Sequence, residues 1–222
     1  MNAINHAATA LIINKKWPNV PIIPVLISVQ LVEFLWVIFN LLGVEITTTE
    51  PVVRAVNDIH LAYMPFSHSM GATIFLAILT WLLFTYTLKR PVWGVALAAA
   101  LSSHVLLDLA THVQDIAIAP GIDTPKFGTG LYGIPLIALA VEIAYGIFCW
   151  WYFQGTKLLL AAIVLLNLAS LSFYWPALLG PEQLLAAEPK LFAAVIGVHI
   201  VTGLFAIWFF AKEQWGQSSG GA

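Results

Sequence analysis

The residues best equipped for chemistry lie in one apolar stretch, Ser103-His104-Val-Leu-Leu-Asp108-Leu-Ala-Thr-His112-Val-Gln-Asp115. Asp108, His112 and Asp115 follow His104 at offsets of 4, 8 and 11 residues. At 3.6 residues per turn these four positions share one helix face. Side chains at i and i+4 can touch one ion, as the paired histidines of helical zinc motifs do. Imidazole with carboxylate suits Zn²⁺, and also accommodates Mn²⁺ or Fe²⁺. The chain has one cysteine, Cys149, so a cysteine-built zinc site and a disulfide framework are both excluded. The competing reading is a polar face lining a water cavity, with Asp108 hydrogen-bonded to His104 or His112.

A second cluster, Asp58-Ile-His60-Leu-Ala-Tyr63-Met-Pro65-Phe-Ser67-His68-Ser69, precedes another apolar run. Pro65 suits the entry to a helix, which sets His68 at that helix's end. His68 and the His112 end of the stripe then fall at similar depth and read as one site. His60, on a loop, is the weaker extra ligand. Glu33, with Gln30 one turn earlier, is a candidate ligand or general base, as is Asp115. Glu142 reads as a carboxyl hydrogen-bonded within a bundle, His199 as a satisfied core histidine, and Asn167 as contact between helices. The glycines of Gly128-Thr-Gly130-Leu-Tyr-Gly133 fit an ordinary turn; with Lys126 they could also cradle an anion.

The elements that must position these groups follow from composition. The chain has 222 residues, 60% hydrophobic and 9% charged. A soluble domain carries about 25% charged residues, so this one cannot coat itself against water. Soluble enzymes, nucleic-acid binders and disordered chains are thereby excluded, and the net charge of -2 implies no polyanionic partner. Continuous apolar runs predict an all-α, polytopic membrane bundle of about six helices in a single domain, with the lipid bilayer as its partner. The expected spans are 22–44, 66–88, 92–118, 131–153, 158–179 and 191–211. Residues 3–13 are expected to form an interfacial helix rather than a signal peptide, since Lys15-Lys16 follows the apolar stretch. Residues 216–222 are expected to be a disordered tail.

None of the nine Lys and Arg falls within a proposed span, whereas Glu33, Asp108, Asp115 and Glu142 do. A charged group in hydrocarbon costs at least about 2.5–3.5 kcal/mol and needs a partner. Lys15, Lys16, Lys89, Arg90, Lys157 and Lys212 lie on the amino-terminal side, against Arg54, Lys126 and Lys190 opposite. That asymmetry predicts both termini in the cytoplasm and a site facing outward. Glu45, Glu50, Asp58, Asp123, Glu182 and Glu188 read as acids of the outer loops.

The pairing of Tyr63-Met-Pro-Phe-Ser-His68-Ser with Ser103-His104-Val-Leu-Leu-Asp108-Leu-Ala-Thr-His112 resembles the YdjM-like bacterial inner-membrane metal-dependent hydrolases. Val-Glu33-Phe-Leu-Trp, Gln-Asp115 and Gly128-Thr-Gly130-Leu resemble one branch of that family, so the likeness covers roughly residues 25–145. It implies a metal-dependent hydrolase of the inner membrane. His68, His104 and Asp108 match the shared pattern, while His112 and Asp115 match the branch. Where the wider family carries a Pro-Asp-Asp or Leu-Asp segment after its first span, this chain has Leu-Gly-Val-Glu45. A distant likeness to zinc-dependent phospholipases C implies a lipid phosphoester as substrate.

The leading expectation is therefore a membrane-embedded hydrolase. Its metal, most readily zinc, would be held by His68, His104, Asp108 and His112, with His60 as an extra ligand. Asp115 or Glu33 would serve the attacking water, and a lipid or lipid-linked phosphoester would be the substrate. Two alternatives use the same residues: a small proton or metal-ion transporter, and a non-catalytic scaffold with a structural metal. The apolar runs Trp81–Leu88 and Val92–Leu101 speak against a conduit reaching the cytoplasmic side.

Overall fold

The computed structural model describes residues 1–122, 124–180, 183, 185 and 188–215. The expected tail at 216–222 and the acids Asp123 and Glu182 lie outside the described residues. The protein is all-α apart from one small hairpin. Its helices are α1 (Ala3–Lys16), α2 (Ile22–Leu42), α3 (Met70–Leu82), α4 (Pro91–Thr111), α5 (Pro135–Phe153), α6 (Lys157–Leu168) and α7 (Pro189–Trp215). A π-helical turn, Leu83–Thr87, prolongs α3. Strands β1 (Ile46–Thr49) and β2 (Ile59–Tyr63) pair antiparallel between α2 and α3.

Among the described residues five helices are long and apolar enough to cross a membrane: Ile22–Leu42, Met70–Thr87, Pro91–Thr111, Pro135–Phe153 and Pro189–Lys212. They present exposed apolar side chains such as Phe75, Leu106, Trp151 and Val198, as lipid-facing surfaces do. The expected span at 158–179 is different. Helix α6 has 12 residues, about 18 Å at 1.5 Å per residue, against about 30 Å of hydrocarbon. After it the chain runs through a 3₁₀ turn, Leu171–Phe173. Non-helical backbone of this kind is tolerated at membrane depth where it lines a cavity, and Ser170, Phe173 and Tyr174 do line one.

The larger departure is α1. Instead of lying on the membrane surface, it stands inside the bundle, packed against α2, α4, α5, α6 and α7. Ile4 through Leu11, together with Ile13 and Asn14, are all buried. Ala7, Ala8 and Ala10 allow close approach of neighbouring backbones. The polar groups of α1 find partners within the bundle. Asn5 Nδ2 donates to Glu142 Oε2 at 2.5 Å and to Asn167 Oδ1 at 3.0 Å. Thr9 pairs with the Tyr145 hydroxyl at 2.8 Å. Glu142 also accepts from the Asn2 backbone N–H at 3.0 Å, and from Tyr132 and Tyr174 at 3.1 and 3.3 Å. A carboxylate ringed by donors at the start of α1 accepts the N–H of the residue that caps the helix and complements its dipole. Lys15 and Lys16 end α1 at the opposite level, where Lys15 Nζ donates to the Tyr152 carbonyl.

Candidate metal centre

Four elements carry the chemistry to one point: α1 brings His6, α2 brings Glu33, α4 brings His104 and Asp108, and the residues before α3 bring His68. Helix α4 stops at Thr111, because His112 turns to extended backbone (φ -62°, ψ 156°). His112 thus sits at the helix end and Asp115 lies beyond it, so the expected four-residue stripe is helical only through Thr111. The following loop closes that end. Thr129 N–H donates to the Leu109 carbonyl at 2.9 Å and Gly130 N–H to the His112 carbonyl at 2.8 Å. Gly128 has φ +151°, and a Cβ there would lie 2.1 Å from the Val113 carbonyl oxygen. The glycine loop is therefore a cap for α4, which accounts for it without an anion. The same loop reaches α3, where Met70 and Gly71 N–H donate to the Ala117 and Ile118 carbonyls at 3.0 and 2.7 Å. These bonds hold the His68 and His112 segments side by side.

Asp108 is the centre of the cluster, buried to 1% exposure. Its Oδ2 lies 2.9 Å from His104 Nε2 and 3.8 Å from His68 Nε2. Its Oδ1 lies 2.9 Å from the Met1 amine, 3.1 Å from His6 Nε2 and 3.7 Å from His112 Nε2. Glu33 Oε1 lies 3.6 Å from His104 Nε2 and 3.7 Å from His68 Nε2. Among the described residues no Lys or Arg pairs with either carboxylate.

Hydrogen bonds on the far side of each ring fix how the histidines present themselves. His104 Nδ1 faces the Val29 carbonyl at 3.3 Å, and a carbonyl only accepts, so Nδ1 carries the proton. His112 Nδ1 faces Asp115 Oδ1 at 3.3 Å with the same consequence. His68 Nδ1 faces Ser67 Oγ at 2.9 Å. That hydroxyl spends its only proton on Glu45 Oε2 at 2.5 Å, so His68 Nδ1 must be the donor. Glu45 is held in turn by the backbone N–H groups of Phe66 and Ser67, each at 2.8 Å. In all three rings Nε2 is the nitrogen turned toward Asp108 or Glu33, where it can ligate a cation once it gives up its proton.

Imidazole nitrogens and carboxylate oxygens facing one another can share protons or hold a cation in their place. His104 Nε2 and both ring nitrogens of His6 are buried without a hydrogen-bond partner, despite their closeness to Asp108. Two ligands each roughly 2.1 Å from a tetrahedral ion stand roughly 3.4 Å apart. The separations of 2.9–3.8 Å around Asp108 and Glu33 bracket that value. His6, Glu33, His104 and Asp108 each offer a ligand atom within 4.8 Å of the others, so the group could bind a metal ion.

A cavity of about 140 Å³ opens beside the cluster. Glu33, His68, His112 and Asp115 line one side, and Trp36, Leu61, Phe173, Phe192 and Ile196 supply apolar walls. Tyr132 reaches this cavity, and burial pushes its phenol well above the usual range, so it stays a proton donor. His199 also lines the cavity, with Nδ1 donating to the Val195 carbonyl at 3.0 Å, rather than being enclosed in the core.

Of the residues singled out in the sequence, His68, His104, Asp108, His112, Glu33 and Asp115 come together. His60 stands on β2 and pairs with Glu50 at 3.0 Å, apart from this group. Two participants were not expected. His6 lies in a segment too short to span, and its signal was a histidine beside Asn5 in an otherwise apolar stretch. Glu45, taken for an outer-loop acid, is buried to 1% and bonded to Ser67. No family model matches the chain, nor does any curated protein or any solved structure. Fold and cluster together define a helical membrane protein with a His/carboxylate group able to hold a metal ion.

Proposed function

We propose that the protein is a membrane-embedded, metal-dependent hydrolase related to the YdjM-like inner-membrane enzymes. Its substrate is a lipid or lipid-linked phosphoester, taken from the outer side with both termini cytoplasmic. The observation that carries this reading is the orientation of His68, His104 and His112. Each is anchored through Nδ1, and each turns its Nε2 toward Asp108 or Glu33. A ligand set of imidazole and carboxylate without thiolate favours zinc. His104, Asp108 and Glu33 would hold the ion, with His6, His68 and His112 facing the same carboxylates. When bound, the metal lowers the pKa of a coordinated water toward ~7 and polarises the scissile group.

The chain's own groups do the rest. Asp115 reaches the cavity without holding the ion, and it accepts the proton of the attacking water. Asp115 Oδ1 at the same time keeps His112 in register. Trp36, Phe173, Phe192 and Ile196 receive the apolar part of the substrate and exclude bulk water. The test is metal analysis of detergent-purified protein together with turnover on a panel of phospholipids and prenyl phosphates. Stoichiometric zinc and chelator-sensitive hydrolysis are expected, both lost in His104→Ala and Asp108→Ala. Metal that persists in both variants would overturn the site assignment. Metal flux into proteoliposomes without hydrolysis would favour a transporter instead.

A further inference from the structure

The cluster has more donors than one tetrahedral ion can use. Four histidine Nε2 atoms and two carboxylates converge, whereas a zinc site takes four ligands. The two oxygens of Asp108 divide them. Around Oδ2 stand His104 at 2.9 Å and His68 at 3.8 Å, and both also face Glu33 Oε1 at 3.6 and 3.7 Å. That is a complete four-ligand set. Around Oδ1 stand His6 at 3.1 Å and His112 at 3.7 Å, with the Met1 amine 2.9 Å from the same oxygen.

The rings of His6 and His104 lie stacked, centroids 4.1 Å apart and planes 17° from parallel. Two imidazoles that share one ion splay apart around it. Stacked rings, one beside each oxygen of a single carboxylate, instead address two neighbouring points. Their 4.1 Å spacing is close to the ~3.5–4 Å between the ions of two-metal sites.

Resting on the hydrolase reading above, we infer that the centre is dinuclear, with Asp108 bridging two divalent ions. One ion is enclosed by His68, His104, Glu33 and Asp108 Oδ2. The other is held by His6, His112 and Asp108 Oδ1. This second set lacks a fourth side-chain ligand; the Met1 amine, 2.9 Å from Asp108 Oδ1, stands at that point, and both it and His112 line the cavity. Its remaining coordination position therefore opens to the cavity, as catalytic metal sites require. Two divalent ions outweigh the charge of Asp108 and Glu33 and leave a positive centre facing the apolar cavity. The substrate class is accordingly an anionic amphiphile, a phosphate ester on an apolar chain, with its phosphoryl oxygens clamped between two ions.

The experiment counts ions on the full-length protein in detergent, loaded with Mn²⁺ and desalted. Wild type should hold two Mn²⁺ per chain and give the electron paramagnetic resonance spectrum of an exchange-coupled pair. His112→Ala should hold one ion and give an uncoupled spectrum. His112→Gln serves as the second variant, with circular dichroism confirming the fold of each. One ion in wild type, retained in both His112 variants, overturns the dinuclear assignment while leaving a mononuclear hydrolase standing. No bound ion in wild type overturns the metal reading itself.

Discussion

Ser67 offers the sharpest perturbation, because one oxygen atom joins two functions. Its hydroxyl donates to Glu45 Oε2 and accepts from His68 Nδ1, at 2.5 and 2.9 Å. Ser67→Ala deletes both bonds and leaves the rest of the segment tied down. Glu45 keeps its two backbone donors from residues 66 and 67, so the loss in fold stability should stay near 1–2 kcal/mol. The metal should suffer more specifically. Without an acceptor at Nδ1, nothing disfavours the tautomer that protonates Nε2, the nitrogen that faces Glu33 and Asp108. Removing a hydrogen-bond partner behind a ligating histidine costs about 10–100-fold in metal affinity, or about 1.4–2.8 kcal/mol. Competition between the protein and a fluorescent zinc chelator measures this directly. Ser67→Thr keeps the hydroxyl and should recover most of the affinity. Ser69→Ala is the control, since Ser69 Oγ caps α3 and bonds the Pro65 carbonyl without touching a histidine. Equal affinities in wild type and Ser67→Ala, or equal losses in Ser67→Ala and Ser69→Ala, would refute the tautomer argument.

Other consequences follow from the same geometry. Stripping metal with a chelator should lower the melting temperature by about 5–10 °C if the ion had been present near 100 times its dissociation constant, and restored zinc should recover it. Glu142→Leu leaves the Asn2 N–H and the Tyr132 hydroxyl without their acceptor, while Asn5 and Tyr174 keep Asn167 Oδ1 and Asn2 Oδ1; at about 1–3 kcal/mol for each buried orphan, α1 should loosen from its seat, seen as protease cleavage within residues 3–16. Gly146→Leu should be still less tolerated, because even a Cβ at this position lies 2.6 Å from Ile163 Cγ2 and 2.8 Å from Asn5 Oδ1, and thermal unfolding would report the clash. In a Cys149→Ser background, Asn57→Cys and Lys157→Cys should label from the outer and cytoplasmic sides respectively; the opposite pattern would invert the proposed orientation.

Much of the site was legible because charge is so scarce in this chain. In an apolar helix the His104, Asp108 and His112 spacing has few competing explanations, and i, i+4 geometry is local enough to survive folding. The agreement of His68 with His112 followed from depth alone, since α3 begins at the level where α4 ends. The glycine loop was harder. Its composition suits an anion cradle as well as a helix cap, and only the approach of Gly128 to the Val113 carbonyl decides between them. His6 was hidden for a different reason. A fourteen-residue helix that ends in Lys15-Lys16 carries only the adjacent Asn5 and His6 to set a buried position apart from a surface one.

The sequence alone determined that this is an all-α membrane protein, and that its few intramembrane acids and histidines concentrate near one level. Those conclusions rest on solvation, since unpaired charge in hydrocarbon is too costly to scatter. Tertiary structure decided which groups share the centre. It stood α1 inside the bundle by giving Asn5, Thr9 and the Asn2 N–H buried partners on α5 and α6. It thereby carried His6 to Asp108, and it folded Glu45 back onto Ser67 to hold His68. These contacts join positions up to 162 residues apart, and no local periodicity encodes pairings of that range.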